Sequence, residues 1–564
     1  MKTKITVLSS AILLIAYIAL PTYTFAQVTQ EWVARYNGTV EIYDHARAVA
    51  VDDSGNVYVT GYNSGSNSGT NSVTDYVTVK YNSTGIEQWV AIYNGMQTGN
   101  SLDCAYALAV DGSGNVYVTG RSIGFGTSRD YATIKYNSSG VQLWVARYNG
   151  PANAEDDAYA LAVDESGNVY VTGTSKGTAG SDYATIKYDS SGVQQWVARY
   201  NGPSNGNDAG KSIAVDDSGN VYVTGTLSAQ GLSLDYGTIK YDSAGVLQWV
   251  TLYNGPANYL DYAEALKVDG SGNVYVTGGS MGGNSTDYAS IKYNSSGVQQ
   301  WVARYNGPGN SADQAYSIAL DSSGNVYVTG KSNGIGQLFP SDYDYATIKY
   351  DSTGAQQWVT RYNGPGNGDD VASSLLLDSS KNVYVTGYSL GSGTGLDYAT
   401  IKYDSTGVQQ WVERYNGPGN GDDIASALVV FGSPTLPTTT LALDGLGNVY
   451  VTGLSLGIGT ADDYATIKYS QQPASVGIET IPAKFSLLQL FPNPATNQLT
   501  IALGSNNQKV EVTIADITGK IIYTATASET KNIEVSTKDF PAGIYAVQIT
   551  SADFIATKKL VIRK

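Results

Sequence analysis

Aspartate is the residue in this sequence with the clearest capacity for chemistry, because it recurs beside glycine-rich loops. Carboxylates next to carbonyl-rich loops can bind calcium. Aspartates in loops more often accept backbone N–H bonds, and none of these loops has the ordered spacing of calcium ligands. Calcium therefore stays an open alternative and no other cofactor is predicted; the calcium candidates are Asp75, Asp130, Asp182 and Asp235.

A second candidate site is one position in the first strand of each repeat, three residues after a recurring aspartate. Its neighbours are mostly alanine, yet the position itself varies in charge, size and polarity. In an innermost strand, these side chains could line the mouth of a channel and bind a glycan or a peptide. Neutral drift at a solvated position explains the variation equally well. The position is occupied by Arg47, Tyr106, Tyr159, Lys211, Glu264, Tyr316, Ser373 and Ser426.

Residues for acid–base or nucleophilic catalysis are scarce. The only histidine is His45 and the only cysteine is Cys104. A Ser-His-Asp triad would depend on His45 alone, and other repeats carry Cys104 or Asp157 at the same position, which indicates an ordinary substitution. The lysine that recurs in each repeat is interpreted as a structural partner of carboxylates. No catalytic residue is predicted, and the sequence favours a protein that is not an enzyme.

The elements that must position these residues follow from an internal repeat. Tryptophan recurs every 52 to 57 residues, and between successive tryptophans the motifs GNVYVTG, DYATIKY and QQWVARYNG keep one order. β-branched and aromatic residues dominate these segments, and Gly, Ser, Asn and Asp separate them, so each repeat reads as four strands. A period of about 50 residues with four strands predicts a β-propeller.

Counting the motifs predicts how the ring closes. GNVYVTG and DYATIKY, or their variants, each occur eight times, and residues 31–38 form a tryptophan strand with no other strands before it. The last repeat lacks such a strand, so the N-terminal strand should complete it and pair the two free edges. The prediction is an eight-bladed propeller of four-stranded blades at residues 27–469. Its B-to-C and D-to-A loops vary in length and lie on one rim, which makes that rim the candidate binding face.

The repeat resembles the bacterial SBBP β-propeller repeat, whose core is G-N-V-Y-V-T-G. The likeness covers roughly residues 31–469, and the family label implies seven blades where eight copies are counted here. The resemblance supports an all-β propeller and leaves the number of blades open.

The C-terminal 80 residues have their own alternating strands and predict a small immunoglobulin-like β-sandwich at 485–564, after a linker at 470–484. This region resembles the type A C-terminal sorting domain of type IX secretion in Gram-negative bacteria. Such domains direct a cargo protein through the outer membrane, so the resemblance implies a partner in the secretion machinery. An accessory module without an export role is the alternative. The motif residues are Pro492, Asn493, Pro494, Gly519, Gly543 and Tyr545.

The ends and the charge of the chain narrow the location and the partners. Residues 1–26 carry two lysines, a short apolar run and a small-residue cleavage site, as in a secretory signal peptide, with a membrane anchor as the alternative. No later stretch is apolar enough to span a bilayer. The net charge of −16 disfavours nucleic acid as a partner. The predicted location is secreted or on the outer cell surface.

Three functions remain after these observations. The first is a secreted or cell-surface binding or adhesion protein that contacts an extracellular glycan or protein through its variable rim. The second is a carbohydrate-active enzyme, either a glycosidase or a lyase. The third is a structural component of an extracellular layer. A fold alone cannot choose among them.

Overall fold

The computed structural model describes residues 28–38, 43–66, 72–95, 102–124, 126–229, 233–283, 285–334, 342–425, 440–471, 489–502, 509–516, 520–528, 532–550 and 555–564. The chain divides into two compact units, the larger of which is Val28–Gln471. The predicted signal peptide lies outside the described residues, as does the predicted linker beyond Gln471. Every described element is a strand, and no described helix is long and apolar enough to cross a membrane.

The larger unit opens with one strand, β1 (Val28–Tyr36), and continues as eight successive antiparallel sheets. Sheets 1 to 4 contain β2 (Asp44–Val51), β3 (Val57–Ser66), β4 (Ser72–Tyr81), β5 (Glu87–Tyr93); β6 (Cys104–Val110), β7 (Val116–Ile123), β8 (Arg129–Tyr136), β9 (Gln142–Tyr148); β10 (Asp156–Val163), β11 (Val169–Lys176), β12 (Ser181–Tyr188), β13 (Gln194–Tyr200); β14 (Ala209–Val215), β15 (Val221–Ser228), β16 (Leu234–Tyr241), β17 (Leu247–Tyr253).

Sheets 5 to 8 repeat the same order. They contain β18 (Asp261–Val268), β19 (Val274–Met281), β20 (Thr286–Tyr293), β21 (Gln299–Tyr305); β22 (Asp313–Leu320), β23 (Val326–Asn333), β24 (Tyr343–Tyr350), β25 (Gln356–Tyr362); β26 (Asp370–Leu377), β27 (Val383–Leu390), β28 (Leu396–Tyr403), β29 (Gln409–Tyr415); β30 (Asp423–Ile424), β31 (Leu441–Leu443), β32 (Val449–Leu456), β33 (Asp462–Gln471).

The hydrophobic core lies between neighbouring sheets. The second and third strands are buried on both faces, which suits their runs of valine, isoleucine and tyrosine. One core cluster, for example, joins Tyr117 and Tyr131 of sheet 2 to Val169 and Ile186 of sheet 3. The first strand of each sheet contacts the first strand of the next, and β31 contacts both β26 and β2. The first strands therefore form an inner ring, and the all-β propeller predicted from the sequence is confirmed.

The N-terminal strand completes sheet 8 as expected. β1 pairs antiparallel with β33, from Val28 opposite Gln471 to Tyr36 opposite Tyr464. The indole Nε1 of Trp32 donates to the carbonyl of Ser83 in sheet 1 at 3.2 Å. The two ends of the repeat region are thereby joined by backbone hydrogen bonds, and no free edge is left at this position.

The smaller unit contains two antiparallel sheets with a common core. One sheet has the order β34, β35, β38 and the other β37, β36, β39, β40. Leu499, Ile514, Val547 and Leu560 are buried between them. The strands are β34 (Gln489–Phe491), β35 (Gln498–Ala502), β36 (Val510–Asp516), β37 (Ile521–Ala527), β38 (Asn532–Ser536), β39 (Gly543–Thr550) and β40 (Ile555–Ile562).

Candidate functional site

Most of the invariant charged residues are used to hold neighbouring sheets together. Arg147, on the outer strand of sheet 2, shows the pattern. Its Nη1 donates to the Tyr93 hydroxyl of sheet 1 at 3.0 Å, and its Nη2 donates to Asp130 Oδ2 at 3.0 Å. It also donates to the side chain and carbonyl of Ser122. Five further arginines make the same set of bonds, and they are Arg35, Arg199, Arg304, Arg361 and Arg414.

Two sheets lack this arginine. Ile92 and Leu252 occupy its position in sheets 1 and 4 and are 50% and 40% exposed. In these two sheets the equivalent aspartates, Asp75 and Asp235, therefore do not pair with an arginine. Burial raises the pKa of each carboxyl to about 6, with a smaller rise from one neighbouring aspartate.

The four calcium candidates are therefore separate groups in separate sheets. Asp130 and Asp182 bind Arg147 and Arg199, and Asp75 and Asp235 have no arginine partner. In the described part of the chain, no three His, Cys, Asp or Glu side chains form a group that could hold a metal ion. Calcium binding stays a prediction without a site assembled by the described residues.

The second set of recurring aspartates caps backbone groups, as the sequence favoured. Asp156 Oδ2 accepts from the N–H of Gly150 at 2.6 Å, and its Oδ1 accepts from the N–H of Lys176 at 3.0 Å. The equivalent aspartates of the other sheets accept the corresponding glycine N–H, and they are Asp44, Asp103, Asp208, Asp261, Asp313, Asp370 and Asp423.

The recurring lysine has a different partner from the one expected. Lys135 Nζ lies 4.8 Å from the ring centroid of Tyr117 and donates to the carbonyl of Ser190 in the next sheet at 3.2 Å. The same cation–π contact occurs in all eight sheets. The interpretation of this lysine as a carboxylate partner was wrong because the aspartate at the turn already accepts bonds from Asn and Tyr, as Asp111 does from Asn115 and Tyr117.

The variable position of the first strand lies at a β-bulge in each sheet where it is described. In sheet 1 the pairing register shifts between Ala46 and Ala48, so that Arg47 is the extra residue. A bulge turns its extra side chain away from the regular alternation of the strand. The same shift surrounds Tyr106, Tyr159, Lys211, Glu264, Tyr316 and Ser373, whereas Ser426 lies outside the described residues.

Five of these bulge residues are buried, whereas Tyr316 and Ser373 are partly buried. Several of them contact neighbouring sheets inside the inner ring. The rings of Tyr106 and Tyr159 lie 6.1 Å apart, and Lys211 Nζ lies 4.9 Å from the Tyr159 centroid. Glu264 accepts from Gln314 Nε2 at 2.9 Å. The hydroxyl of Ser373 donates to the carbonyl of Ala425 in sheet 8.

Burial perturbs the one lysine among these bulge residues. Desolvation lowers the pKa of Lys211 to about 8, and the carboxylate of Glu264 opposes part of that fall. Lys211 is thus a buried cation with an acid in the adjacent sheet.

Sequence reasoning missed three further variable positions that meet the bulge residue in space. His45, Tyr62 and Asp462 occupy them at the junction of sheets 1 and 8. The Tyr62 hydroxyl lies 2.7 Å from His45 Nδ1, and His45 Nε2 lies 3.3 Å from Asp462 Oδ2. Arg47 Nη2 donates to the same hydroxyl at 3.2 Å. The available signal was that each of these positions differs between repeats while its flanking residues do not.

This junction group can hold or move a proton. Burial lowers the pKa of His45, Asp462 raises it and Arg47 lowers it further, with a net fall below 6.5. The imidazole is therefore neutral at pH 7. With the proton on Nε2, His45 donates to Asp462 and accepts from the Tyr62 hydroxyl.

The sorting-motif residues of the smaller unit tie its first segment to its last strand. Asn493 Nδ2 donates to the carbonyl of Lys559 at 2.7 Å, and Asn493 Oδ1 accepts from the N–H of Val561 at 2.9 Å. Pro492 and Pro494 flank this residue, each after a cis peptide bond. Tyr545 donates to the carbonyl of Pro541 at 2.8 Å. Gly543 begins β39, and Gly519 lies outside the described residues.

Two family models match the chain. Residues 489–563 match the secretion system C-terminal sorting domain. The Beta-propeller repeat model, SBBP, matches residues 88–126, 144–178, 195–226, 300–337 and 357–393. The chain therefore carries SBBP β-propeller repeats and a type IX sorting domain, and both resemblances seen in the sequence are confirmed. No curated protein matches the chain.

Solved structures resemble the chain at low identity. Sqt1 from Chaetomium thermophilum has a TM-score of 0.43 at 10% identity and covers 79% of this chain and 100% of its own. The polysaccharide lyase Uly1 has a TM-score of 0.39 at 12% identity and covers 65% and 89%. The WD40 domain of SCAP from fission yeast has a TM-score of 0.37 at 10% identity and covers 78% and 98%. Similarity at this level says nothing about function.

Proposed function

We propose that this chain, which carries SBBP repeats and a type IX sorting domain, is a binding protein of the outer cell surface or the secreted fraction. Its ligand contacts the variable end of the inner strands and the loops beside it. The observation that carries the proposal is that the recurring residues and the variable residues have different positions and contacts. The recurring polar residues are used in contacts within and between the sheets, and the residues that differ between repeats converge on the inner ring.

The variable residues have the composition of a recognition site. Tyrosine rings, cations, a carboxylate and hydroxyl groups meet there, and tyrosine combines a large apolar face with a polar end. Binding sites tend to place such groups on a rigid scaffold. The sorting domain supports an extracellular ligand, because it implies export.

A glycan and protein array probed with the full chain tests this function. We expect saturable binding to at least one extracellular polymer, lost in a triple variant of the inner ring, Tyr106→Ala, Tyr159→Ala and Tyr316→Ala. The matched control is the triple variant Ile86→Ser, Val141→Ser and Val193→Ser, at exposed residues of the opposite rim, which should bind as the parent does. Equal loss in both triple variants, or no binding by the folded parent, would contradict the proposal.

A carbohydrate-active enzyme is the second candidate, and one observation favours it. The Tyr62–His45–Asp462 chain breaks the repeat pattern and contains a neutral imidazole beside a hydroxyl, which is a suitable pair for acid–base catalysis. Arg47 stands beside the hydroxyl and could neutralise a substrate carboxylate.

Product release from acidic and neutral polysaccharides distinguishes this candidate from simple binding. An enzyme would release shorter chains, and His45→Ala would reduce the rate at least about 100-fold while leaving retention of the polymer intact. Retention without any cleavage by the parent would exclude the enzyme and leave the binding function in place.

A further inference from the structure

Two arginines, the buried Arg47 of the inner ring and the partly buried Arg121 of the adjoining strand β7, differ from the other described arginines of the larger unit. Every other described arginine of this unit has a carboxylate within 4.0 Å. Arg47 and Arg121 have no such partner among the described residues. A buried charge without an ion-pair partner is costly. Asp157 attracts the Arg121 charge from beyond 4.0 Å, so Arg47 has the greater need of a compensating group.

The free donors of these arginines are identifiable. Arg47 is only 5% exposed, and its Nε and Nη1 atoms have no hydrogen-bond partner in the described part of the chain. The Nε of Arg121 is also buried without a partner there. The unpaired polar atoms of the scaffold recur from sheet to sheet, such as the hydroxyls of Tyr81 and Tyr136. Among the described residues, buried guanidinium nitrogens without a partner occur in sheets 1 and 2, on Arg47, on Arg121 and on Arg129, whose charge is paired with Glu155.

The two guanidiniums face one group of side chains. Arg47 lies over the Tyr62 ring at 5.3 Å, and Arg121 lies over the Tyr106 ring at 5.7 Å. Burial raises the pKa of Tyr62, and both Arg47 and Arg121 oppose that rise, which requires both charges to lie near one hydroxyl. Cys104 is the other contact of Arg121, with Nη2 at 3.9 Å from its sulfur.

A row of two aromatic rings, Tyr106 and Tyr159, continues from this pair of arginines along the inner ring. The Tyr106 ring lies at a tilt 6.1 Å from the Tyr159 ring, and Lys211 Nζ lies 4.9 Å from the Tyr159 centroid. The acids near the row are Asp157 and Glu155, and both lie within 4.0 Å of Arg129. On the side of sheet 1, the His45 ring lies 6.2 Å from the ring of Tyr43, which is 51% exposed.

We propose that Arg47 and Arg121 together bind the anionic group of an acidic saccharide. A carboxylate or sulfate group would accept charge-assisted hydrogen bonds from the free guanidinium N–H groups. The inference rests on the proposed binding function and names the ligand class and the residues that select it.

Calorimetric titration of the full chain tests the pair with three defined probes. They are a galacturonic acid hexamer, the same hexamer with its carboxylates methyl-esterified, and sodium sulfate. We expect one binding site for the acidic hexamer and at least about tenfold weaker binding of the ester, since hydrogen bonds to charged groups contribute about this much. Binding of sulfate alone through the same pair would also support the site and would assign sulfate as the group.

The variants separate recognition from a structural role. Arg47→Gln and Arg121→Gln should each weaken binding of the acidic hexamer at least about tenfold. Lys331→Gln is the control, since Lys331 is a cation of sheet 6 that lies over Tyr343 and should leave binding within about twofold. Without ligand, Arg47→Gln should melt at or above the parent temperature, because it removes an uncompensated charge.

Three outcomes would overturn the inference. They are binding that is unchanged in both arginine variants, no binding of any probe, and a ligand-free melting temperature that falls in Arg47→Gln and is restored in Arg47→Lys. Saturable binding of other polymers to the array, with no response to these anions, would leave the proposed function standing and remove only this inference.

Discussion

At the scale of single residues, the repeats allow the same aspartate to be compared with and without an arginine partner. The same aspartate occurs with arginine in six sheets and without it in two, as Asp182 beside Arg199 and Asp235 beside Leu252 illustrate. The contrast isolates the effect of the counter-charge, because the surrounding strands are nearly identical. Burial without arginine raises the pKa of Asp235 to about 6.

This pKa shift predicts how stability depends on pH. The folded protein holds the Asp235 proton more tightly than the unfolded chain, so the contribution of this group to the free energy of unfolding is greatest below pH 3.8 and is lost as the pH rises to about 6. Asp235→Asn should therefore stabilise the protein by about 1 kcal/mol at pH 7 and have little effect at pH 4.

Denaturation followed by tryptophan fluorescence measures this change, since all eight tryptophans lie in the larger unit. Asp182→Asn is the matched control, and it should lose about 2 kcal/mol at pH 7 because it leaves Arg199 without its carboxylate. A loss of stability in Asp235→Asn at pH 7 would show that the carboxylate has a favourable partner.

At the scale of elements, the contact between one sheet's outer strand and the next sheet's turn repeats around the ring. Trp196 of β13 packs on Gly245 of the following sheet, and its Nε1 donates to the carbonyl of Ser243 at 3.2 Å. Gly245 has a φ of +80°, and a Cβ there would lie 2.6 Å from the indole. The turn requires glycine for both reasons.

Gly245→Ala should therefore destabilise the larger unit by about 2 kcal/mol. The control is Gly270→Ala in the turn between β18 and β19. A Cβ there would meet nothing within 4 Å, and the φ of Gly270 is not in the left-handed region. The difference between the two denaturation midpoints is the measurement. Equal midpoints would mean that the indole moves aside without cost.

The strands could be predicted from the sequence, but the β-bulges that hold the variable residues could not. Strand length, order and burial followed from alternation and composition, and the tryptophan strand at the N-terminus predicted its pairing with the last repeat. The β-bulges did not follow, because the bulged segment, Ala46 to Ala48 in sheet 1, has the residue types of a regular strand. The grouping of His45 with Asp462 also needed the ring to close, because 417 residues separate them in the chain.

At the scale of the whole molecule, the export domain and the proposed binding site belong to different parts of the sequence. The sorting domain has its own core and its own two sheets. A chain that lacks residues 489–564 should still show the denaturation transition of the larger unit by tryptophan fluorescence, and it should be nearly absent from the cell surface and the medium.

Protease digestion of intact cells and immunoblotting of the medium measure this distribution in a bacterium with a type IX system. The full chain is the control for expression and export. Surface display of the truncated chain at the level of the full chain would contradict the assignment of export to this domain.

The class of fold and the closure by β1 could be predicted from a pattern that recurs many times, and the export domain could be predicted from its local motifs. Which side chains meet could not be predicted, because those contacts form between distant segments of the chain. Arg47, Arg121 and the tyrosines beside them come from different sheets, and their burial and their lack of carboxylate partners are properties of the closed ring. The proposed recognition site depends on these long-range contacts. Variation between repeats indicates which positions take part, but it does not indicate what they contact.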